Sequence, residues 1–505
     1  MLSTILAGIC LLLLVVYLFL IWPYDYWQKR GVNGPKSLPF VGNYLSTLTQ
    51  KRNIVLDIQD VYDKHKHTDN FVGIFSARTP QLLITNANMV RRILVSDFKK
   101  FHDNYFTTMI DKKSDFIFGN NPFMLTGDEW KERRAEVTPG LTMNRIKNVF
   151  PVTEKICKSM VEYIAQQSLM ASKDGINANE LSLRFTCEVV TDCVLGVKAE
   201  AFSKKSSLIL EKTKNIFEQT PTFIIYSILH GLFPWIQKYK KVNFVPKPIE
   251  IFFVDLMQNV LSMRKAQIEE GINVDRVDFL NYMLHLQEKK NLDLKELTAH
   301  TMTFLLDGFL TTANVLSHCL LLLGRDSKRQ QILREEITEN LKNINDFEKI
   351  MDLPFLDACI HETLRLFPPV SFNFKMCTEP AELENSNGHK LHVEPGTAIV
   401  IPTLAIMTDE THYENPLSFV PERFLNGGLK RYKEQGLFLG FGDGPRICLG
   451  MRFALAQLKT ALVEIIRNYY VHINPKTRQD NKFDPTYFML RLDGGIWLDF
   501  EKLIK

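Results

Sequence analysis

The stretch FLGFGDGPRICLGMRFA, residues 438–454, sets one cysteine among four glycines, with an arginine two places before it and a helix-like run after it. A thiol in so bare a loop has a chemical meaning. Glycines at 442, 444 and 450 let the backbone approach something flat and large, and N–H groups aimed at the Cys448 sulfur favour its thiolate. Arg446 reaches an anion beside it. A single thiolate beneath a planar macrocycle, with an arginine for a rim carboxylate, is how an axial haem ligand is presented. Other glycine-loop chemistries do not fit. Pro445 and Ile447 stand where G-x-G-x-x-G needs its third glycine, no Gly-Lys-Ser/Thr follows, and no Cys-x-x-Cys-His marks a c-type haem. From the loop alone, a surface turn with a stray cysteine stays open.

The elements that must carry such a site are mostly helices. Residues 177–195, 326–342 and 354–366 repeat their apolar positions with a 3.6-residue period, whereas FVGIFSARTPQLLIT, residues 71–85, reads as a strand pair around a turn. The expected fold is therefore mostly α with a small β-sheet region (α+β). One helix stands out. It opens at DLKE, where Asp293 caps and Glu296 answers, and runs to a C-cap expected at Gly324, about thirty residues and ~45 Å. It is apolar on nearly every face, so it is buried throughout, in lipid or in the centre of a large domain. Asp307, Gly308, Asn314 and His318 within it argue against lipid.

Composition narrows the class. The chain has 505 residues, 45% of them hydrophobic and 23% charged, with a formal net charge of +4. That charge is too mild for nucleic acid, and no long basic run is present. Eight cysteines without a Cys-x-x-Cys pair suit a reducing compartment. Residues 2–22, LSTILAGICLLLLVVYLFLIW, contain no charge and are long enough to span a bilayer as a helix. They lack the basic start and small-residue cleavage site of a removed signal. Trp22, Tyr24, Tyr26 and Trp27 are expected to form an interfacial aromatic belt, and Lys29 and Arg30 place the following chain in the cytosol. The expected organisation is an anchor over 1–30, a Pro/Gly hinge over 31–44 and one domain over 45–505.

The loop resembles the haem loop of the cytochrome P450 family, F-x-x-G-x-R-x-C-x-G, with Phe441, Gly444, Arg446, Cys448 and Gly450 in place. The likeness extends over the chain and, with the anchor, is closest to insect microsomal members. It implies haem b (iron protoporphyrin IX) with Cys448 as axial thiolate. In WKERR, Trp130 and Arg134 share a helical face that the family turns toward a haem propionate. In HETLRLFPP, Glu362 and Arg365 match its E-x-x-R, a structural pair completed by Arg423 of PERF. Lys375 in FKMC stands where relatives carry a propionate-binding arginine, although lysine cannot make a forked contact. Phe116, Phe118, Phe304, Val370, Phe372 and Phe488 resemble positions that line the substrate pocket, with plain core as the alternative. The apolar segment FIIYSILHGLFPWI, residues 223–236, falls where the family meets the membrane and admits substrate.

The resemblance implies a monooxygenase acting on a lipophilic small molecule, in the endoplasmic reticulum membrane. No flavin or nicotinamide fingerprint is present, so electrons from NADPH are expected through a separate reductase, with cytochrome b5 as a further donor. Lys131, Arg133, Lys430, Arg431, Lys433 and Arg452 are expected to form the basic surface that meets it. Two other classes share the motif: an isomerase or dehydratase needing no reductase, and a non-catalytic haem or lipid binder. Thr311 favours the monooxygenase, since its hydroxyl organises water for proton delivery. In DGFLTTA the family's acid before the threonine is replaced by Leu310, and Asp307 appears one turn earlier, facing the same way as Thr311. Asp307 is expected to supply the protons, or else to be a buried acid held by the backbone.

Overall fold

The computed structural model describes residues 1–505 except 171–173, 204–206, 215, 217–220, 241, 272–277, 342–345 and 504–505. The helices that frame the site are α1 (Leu2–Ile21), α2 (Gly127–Val137), α3 (Met143–Met170), α4 (Ala178–Leu195), α5 (Pro221–Leu232), α6 (Leu294–Arg325), α7 (Ser327–Asn340), α8 (Pro354–Leu366) and α9 (Met451–Asn468). The strands are β1 (Phe71–Ser76), β2 (Thr79–Ile84), β3 (Asp103–Asn104), β4 (Ile176–Asn177), β5 (Asn373–Met376), β6 (Ala381–Glu384), β7 (Lys390–Val393), β8 (Ala398–Ile401), β9 (Tyr469–Ile473) and β10 (Trp497–Lys502). The mostly helical α+β expectation holds. The largest sheet runs β1-β2-β8-β5-β3, with the expected hairpin β1–β2 closed where Ser76 faces Thr79.

Helix α6 is the axis of the fold. The Asp293 carboxylate accepts the Glu296 N–H at 2.8 Å and Glu296 accepts the Asp293 N–H at 3.0 Å, a complete capping box. From Leu297 to Leu323 every residue is buried except Asp307, Gly308 and Thr311. Each buried leucine there contributes about 1.5–3 kcal/mol. The helix does not stop at Gly324. It continues to Arg325 and is followed by Asp326. Gly324 serves close packing instead, since a Cβ there would lie 3.0 Å from Ile473 of β9.

Helix α1 is exposed along almost its whole length, and its span has a mean hydropathy of 3.0, long and apolar enough to cross a membrane. The residues of the expected aromatic belt divide between solvent and the body. Trp22 is 79% exposed, but Trp27 is 4% exposed and inserts into the body. Its Nε1 donates to the Ile74 carbonyl at 3.1 Å, and a Cβ on Gly73 would lie 2.1 Å from its ring. Tyr24 donates to the Leu38 carbonyl at 2.7 Å, and Tyr26 lies under the Arg30 guanidinium at 3.7 Å. The hinge is likewise tied down: the Gly73 N–H donates to Asn33 at 2.8 Å and the Phe75 N–H to the Asn43 side chain at 2.8 Å.

The inner end of α1 touches the 223–236 segment. Phe19 stacks on Phe233 at 5.6 Å and carries the Arg78 guanidinium 3.6 Å above its ring, while Leu20 packs with Ala77 and Leu232. Around this contact Ile225, Trp235 and Tyr239 remain exposed.

Candidate active site

The cysteine loop is a sequence of forced turns. Gly442 and Gly444 hold φ of +75° and +70°, and a Cβ on Gly444 would lie 2.0 Å from the Leu94 carbonyl oxygen. The Asp443 side chain accepts the Gly444 N–H at 2.7 Å, and the Cys448 N–H donates to Phe441 at 2.9 Å. The chain then enters α9, so the N–H groups of Gly450 and Met451 reach the Cys448 sulfur. Burial pushes this thiol up to about 11, with Asp307 adding to the rise and Gly450, Arg134 and Met451 opposing it. The sulfur nonetheless keeps accessible surface. Crowded by protein yet accessible, it faces a space inside the fold.

Beside the loop lies a cluster of cations. Arg446 donates to Asp103 at 3.1 Å, to Leu125 at 2.8 Å and to Pro122 at 3.1 Å, and its guanidinium lies 4.4 Å over the Trp130 ring. Its Nε has no partner among the described residues. Arg134 donates to the Ile447 carbonyl at 2.9 Å. Lys375, 4% exposed, donates to Asn104 at 3.0 Å, and burial together with Arg446 pushes its ammonium down to about 7. Arg446 pairs with the buried carboxylate of Asp103, which also acts on Lys375, while Arg134 faces the Cys448 thiol, so three cations stand beside one carboxylate. Such an excess is costly without further anions, and the two carboxylates of a haem rim are anions of the right kind. A thiolate donor, a flat approach and a carboxylate clamp together fit haem b.

Asp307, close enough to the thiol to raise its pKa, is one of the three unburied positions of α6. Asp307 and Thr311 share one face, as expected, but no hydrogen bond joins their side chains. The Thr311 hydroxyl donates to the Asp307 backbone carbonyl at 2.5 Å. The Asp307 carboxylate instead accepts from the Asn121 amide, 3.1 Å to each oxygen. Although the side chain keeps accessible surface, the protein packed around it desolvates the carboxyl and pushes it up to about 7, against the Asn121 bond. Leu310 is 3% exposed and turned into a core cluster with Tyr487 and Met489.

The Glu362 carboxylate accepts Arg365 at 2.7 and 2.8 Å, Arg423 at 3.1 Å and the Val420 N–H at 2.9 Å. Arg365 also donates to the Met407, Pro416 and Ser418 carbonyls. This satisfied network ties α8 to the segment leading into the cysteine loop.

The aromatic candidates divide. Phe372 and Phe488 line a channel with Tyr105, Phe106, Phe223 and Phe374, which holds about 1110 Å³ of empty space including its open mouth. Val370 is 37% exposed. Phe304, packed against Phe279 at 4.7 Å, and Phe118, stacked on Phe244 at 4.4 Å, are buried and do not line that channel. Phe116 is half-buried in the turn before them. Of the expected basic surface, Lys131, Lys430, Arg431 and Arg452 are exposed. Arg133 is not, because it pairs with Glu136 at 3.3 Å and donates to Asn120. Lys433 is half-buried. Sequence reasoning missed Asn121, Asp103 and Asn104, which sit in no motif.

A cysteine loop opposite a three-residue window of a buried helix, flanked by a carboxylate clamp, defines a haem-thiolate protein, and the chain belongs to the cytochrome P450 family, whose members generally are monooxygenases. The family model described as "Cytochrome P450" matches residues 32–498. Among relatives, the chain is 53% identical over 501 residues to "Probable cytochrome P450 28d1" of Drosophila melanogaster, covering 99% of this chain and 98% of that one. It is 52% identical over 491 residues to "Probable cytochrome P450 28a5" of the same species, covering 97% of each. To "Cytochrome P450 6j1" of Blattella germanica it is 29% identical over 508 residues, covering 99% of this chain and 98% of that one.

Proposed function

We propose that this chain is a membrane-anchored monooxygenase that inserts one atom of O2 into a C–H bond of a lipophilic xenobiotic or endogenous molecule. The other oxygen atom leaves as water, with two electrons from NADPH delivered by a separate reductase, and cytochrome b5 as a further donor. The observation that carries this reading is the window of Asp307, Gly308 and Thr311, the sole unburied positions between Leu297 and Leu323, with Asp307 close enough to Cys448 to raise its thiol pKa.

Haem b, when bound, supplies the activation of O2, with the thiolate donating electron density to favour O–O cleavage. Cys448 would supply the thiolate that holds the iron, with the Gly450 and Met451 N–H groups sharing its charge. Arg446, Arg134 and Lys375 would hold the haem carboxylates, with the Trp130 ring 4.4 Å from the Arg446 guanidinium supporting it. Gly444 keeps the loop pressed on the 94–95 segment. Asp307 would carry protons toward bound oxygen, and the Thr311 hydroxyl oxygen would accept from the water through which they pass. A carboxyl near 7 exchanges protons readily at neutral pH, as a relay requires. Oxygen reduction consumes protons from solvent, whereas isomerisation and dehydration take up none net, so a solvent-fed relay favours the monooxygenase. The aromatic channel suits an apolar substrate. Helix α1 anchors the chain in the endoplasmic reticulum membrane, with the body on the cytosolic side where Lys29 and Arg30 stand.

The test is direct. Reduced holoprotein under carbon monoxide should show the strongly red-shifted Soret band of thiolate ligation, and Cys448→His should abolish it. Substrate-dependent NADPH consumption with a reductase, followed across a panel of lipophiles, should yield oxygenated products. A Cys448→His variant that kept both band and turnover would overturn the assignment.

A further inference from the structure

Asp307 takes the place of an acid that stands elsewhere in the usual motif, so something must aim its carboxylate. Its own helix does not: the Thr311 hydroxyl is turned to the backbone, and Leu310 is turned away into the core. The partner comes from a distant loop. Asn121 is 1% exposed, and its amide nitrogen sits 3.1 Å from each Asp307 oxygen. The orientation of that amide is fixed by chemistry, because its other end accepts the Phe123 N–H at 2.7 Å, which only the oxygen can do. The backbone around it is equally committed: the Asn121 N–H donates to Phe118, and its carbonyl accepts from Met124 and Leu125.

The same loop is gripped from the other side. Arg446 donates to the carbonyls of Pro122 and Leu125, the first adjacent to Asn121 and the second four residues on. One short loop therefore holds the acid on one wall and an arginine of the carboxylate clamp on the other.

We infer that Asn121 is the positioning residue of the displaced acid, holding Asp307 toward the space above Cys448, and that its alignment is set through the Asn121–Leu125 loop by Arg446. The inference rests on the reading of Asp307 as the proton carrier. Asn121 itself touches no substrate and transfers no proton. It fixes both carboxylate oxygens against the wall, leaving their open side to the water held by Thr311. A carboxylate freed from this bond swings among rotamers, and delivery becomes a matter of chance alignment.

The experiment uses the full-length holoprotein with reductase and two variants. Asn121→Leu keeps the branched shape, adds some bulk, and removes the hydrogen bonds to Asp307 and from the Phe123 N–H. Asn121→Ser still accepts the Phe123 N–H, as serine does in such turns, but is too short to reach Asp307. Both should raise the hydrogen peroxide released per product about tenfold, the factor that loss of one charge-assisted hydrogen bond gives. KM and the carbon monoxide Soret band should stay unchanged. The Asp307 carboxyl band, identified in infrared difference spectra against Asp307→Asn, should shift in both variants. In an Asp307→Asn background, neither should alter coupling further. If Asn121→Ser folds with wild-type coupling and an unmoved band, the positioning role is overturned. If Asp307→Asn itself leaves coupling unchanged, the proton-carrier reading fails, and the infrared shift still decides whether Asn121 orients the carboxylate.

Discussion

Glu362 and Arg365 form a fully buried, doubly hydrogen-bonded pair, 0% exposed on both side chains, in which one carboxylate also takes Arg423 and a backbone N–H. Every donor of the Arg365 guanidinium that reaches a partner does so inside the core, so the pair joins α8 to residues 407–423 by geometry as well as charge. Glu362→Gln leaves Arg365 as a buried cation without its counter-charge, at a cost of about 3–5 kcal/mol. The variant should lose haem on purification and unfold at markedly lower temperature. A stable Glu362→Gln holoprotein would remove the network from the account.

Lys375 makes haem retention depend on pH. Its ammonium is held down to about 7 by burial and by Arg446, against the pull of Asp103. A haem carboxylate beside it favours the charged form and raises its pKa, so binding takes up a proton. Affinity is then greatest below about 7 and falls as pH rises toward the bound-state value. Haem transfer to an acceptor protein should accelerate between pH 7 and 9, by up to about tenfold per unit. Lys375→Met should release haem faster at every pH and with a flatter profile. Equal slopes in the two proteins would rule Lys375 out of the clamp.

The exposed charges of the cysteine side divide into steering and structural sets. Neutralising Lys131, Lys430, Arg431 and Arg452 together should slow reduction by the reductase several-fold at low salt and little at high salt, as screening predicts. Arg133 pairs with Glu136 below the surface, so its neutralisation should lower thermal stability instead. Stopped-flow reduction at two ionic strengths, beside thermal melts, separates the sets.

The aromatic residues give a matching contrast. Phe304 packs on Phe279 in the core, and Phe304→Ala should cost about 3–5 kcal/mol of stability with the product pattern retained. Phe488 lines the channel and touches Phe106 and Phe372. Phe488→Ala should shift KM and product distribution with a smaller loss of stability. The reverse assignment of effects would reverse the placement.

What could be read from the sequence was what neighbouring residues determine. Cys448, Arg446 and Gly444 lie in one turn, and Glu362 and Arg365 lie three apart on one helix, so spacing alone carried them. The long apolar helix and its capping box were legible for the same reason. Asn121 was not, because its partner Asp307 lies 186 residues away and the pairing exists only once the loop has folded onto α6. Trp27 misled in the same manner. An aromatic next to an apolar helix reads as an interfacial anchor, and its burial depends on the missing side chain of Gly73 in another element. Phe304 and Phe118 were ambiguous because periodicity cannot say which side of a wall a ring occupies.

The Trp27 indole and the bare backbone of Gly73 meet as a peg in a notch, and this redraws where the catalytic body begins. Cutting the chain at residue 30, as a hydropathy profile invites, would leave a hole the size of a bicyclic ring beside the first strand and strand the Ile74 carbonyl without its donor. A solubilised form should therefore keep the chain from Trp22 onward, and the same peg stops the body from rolling freely beneath its anchor.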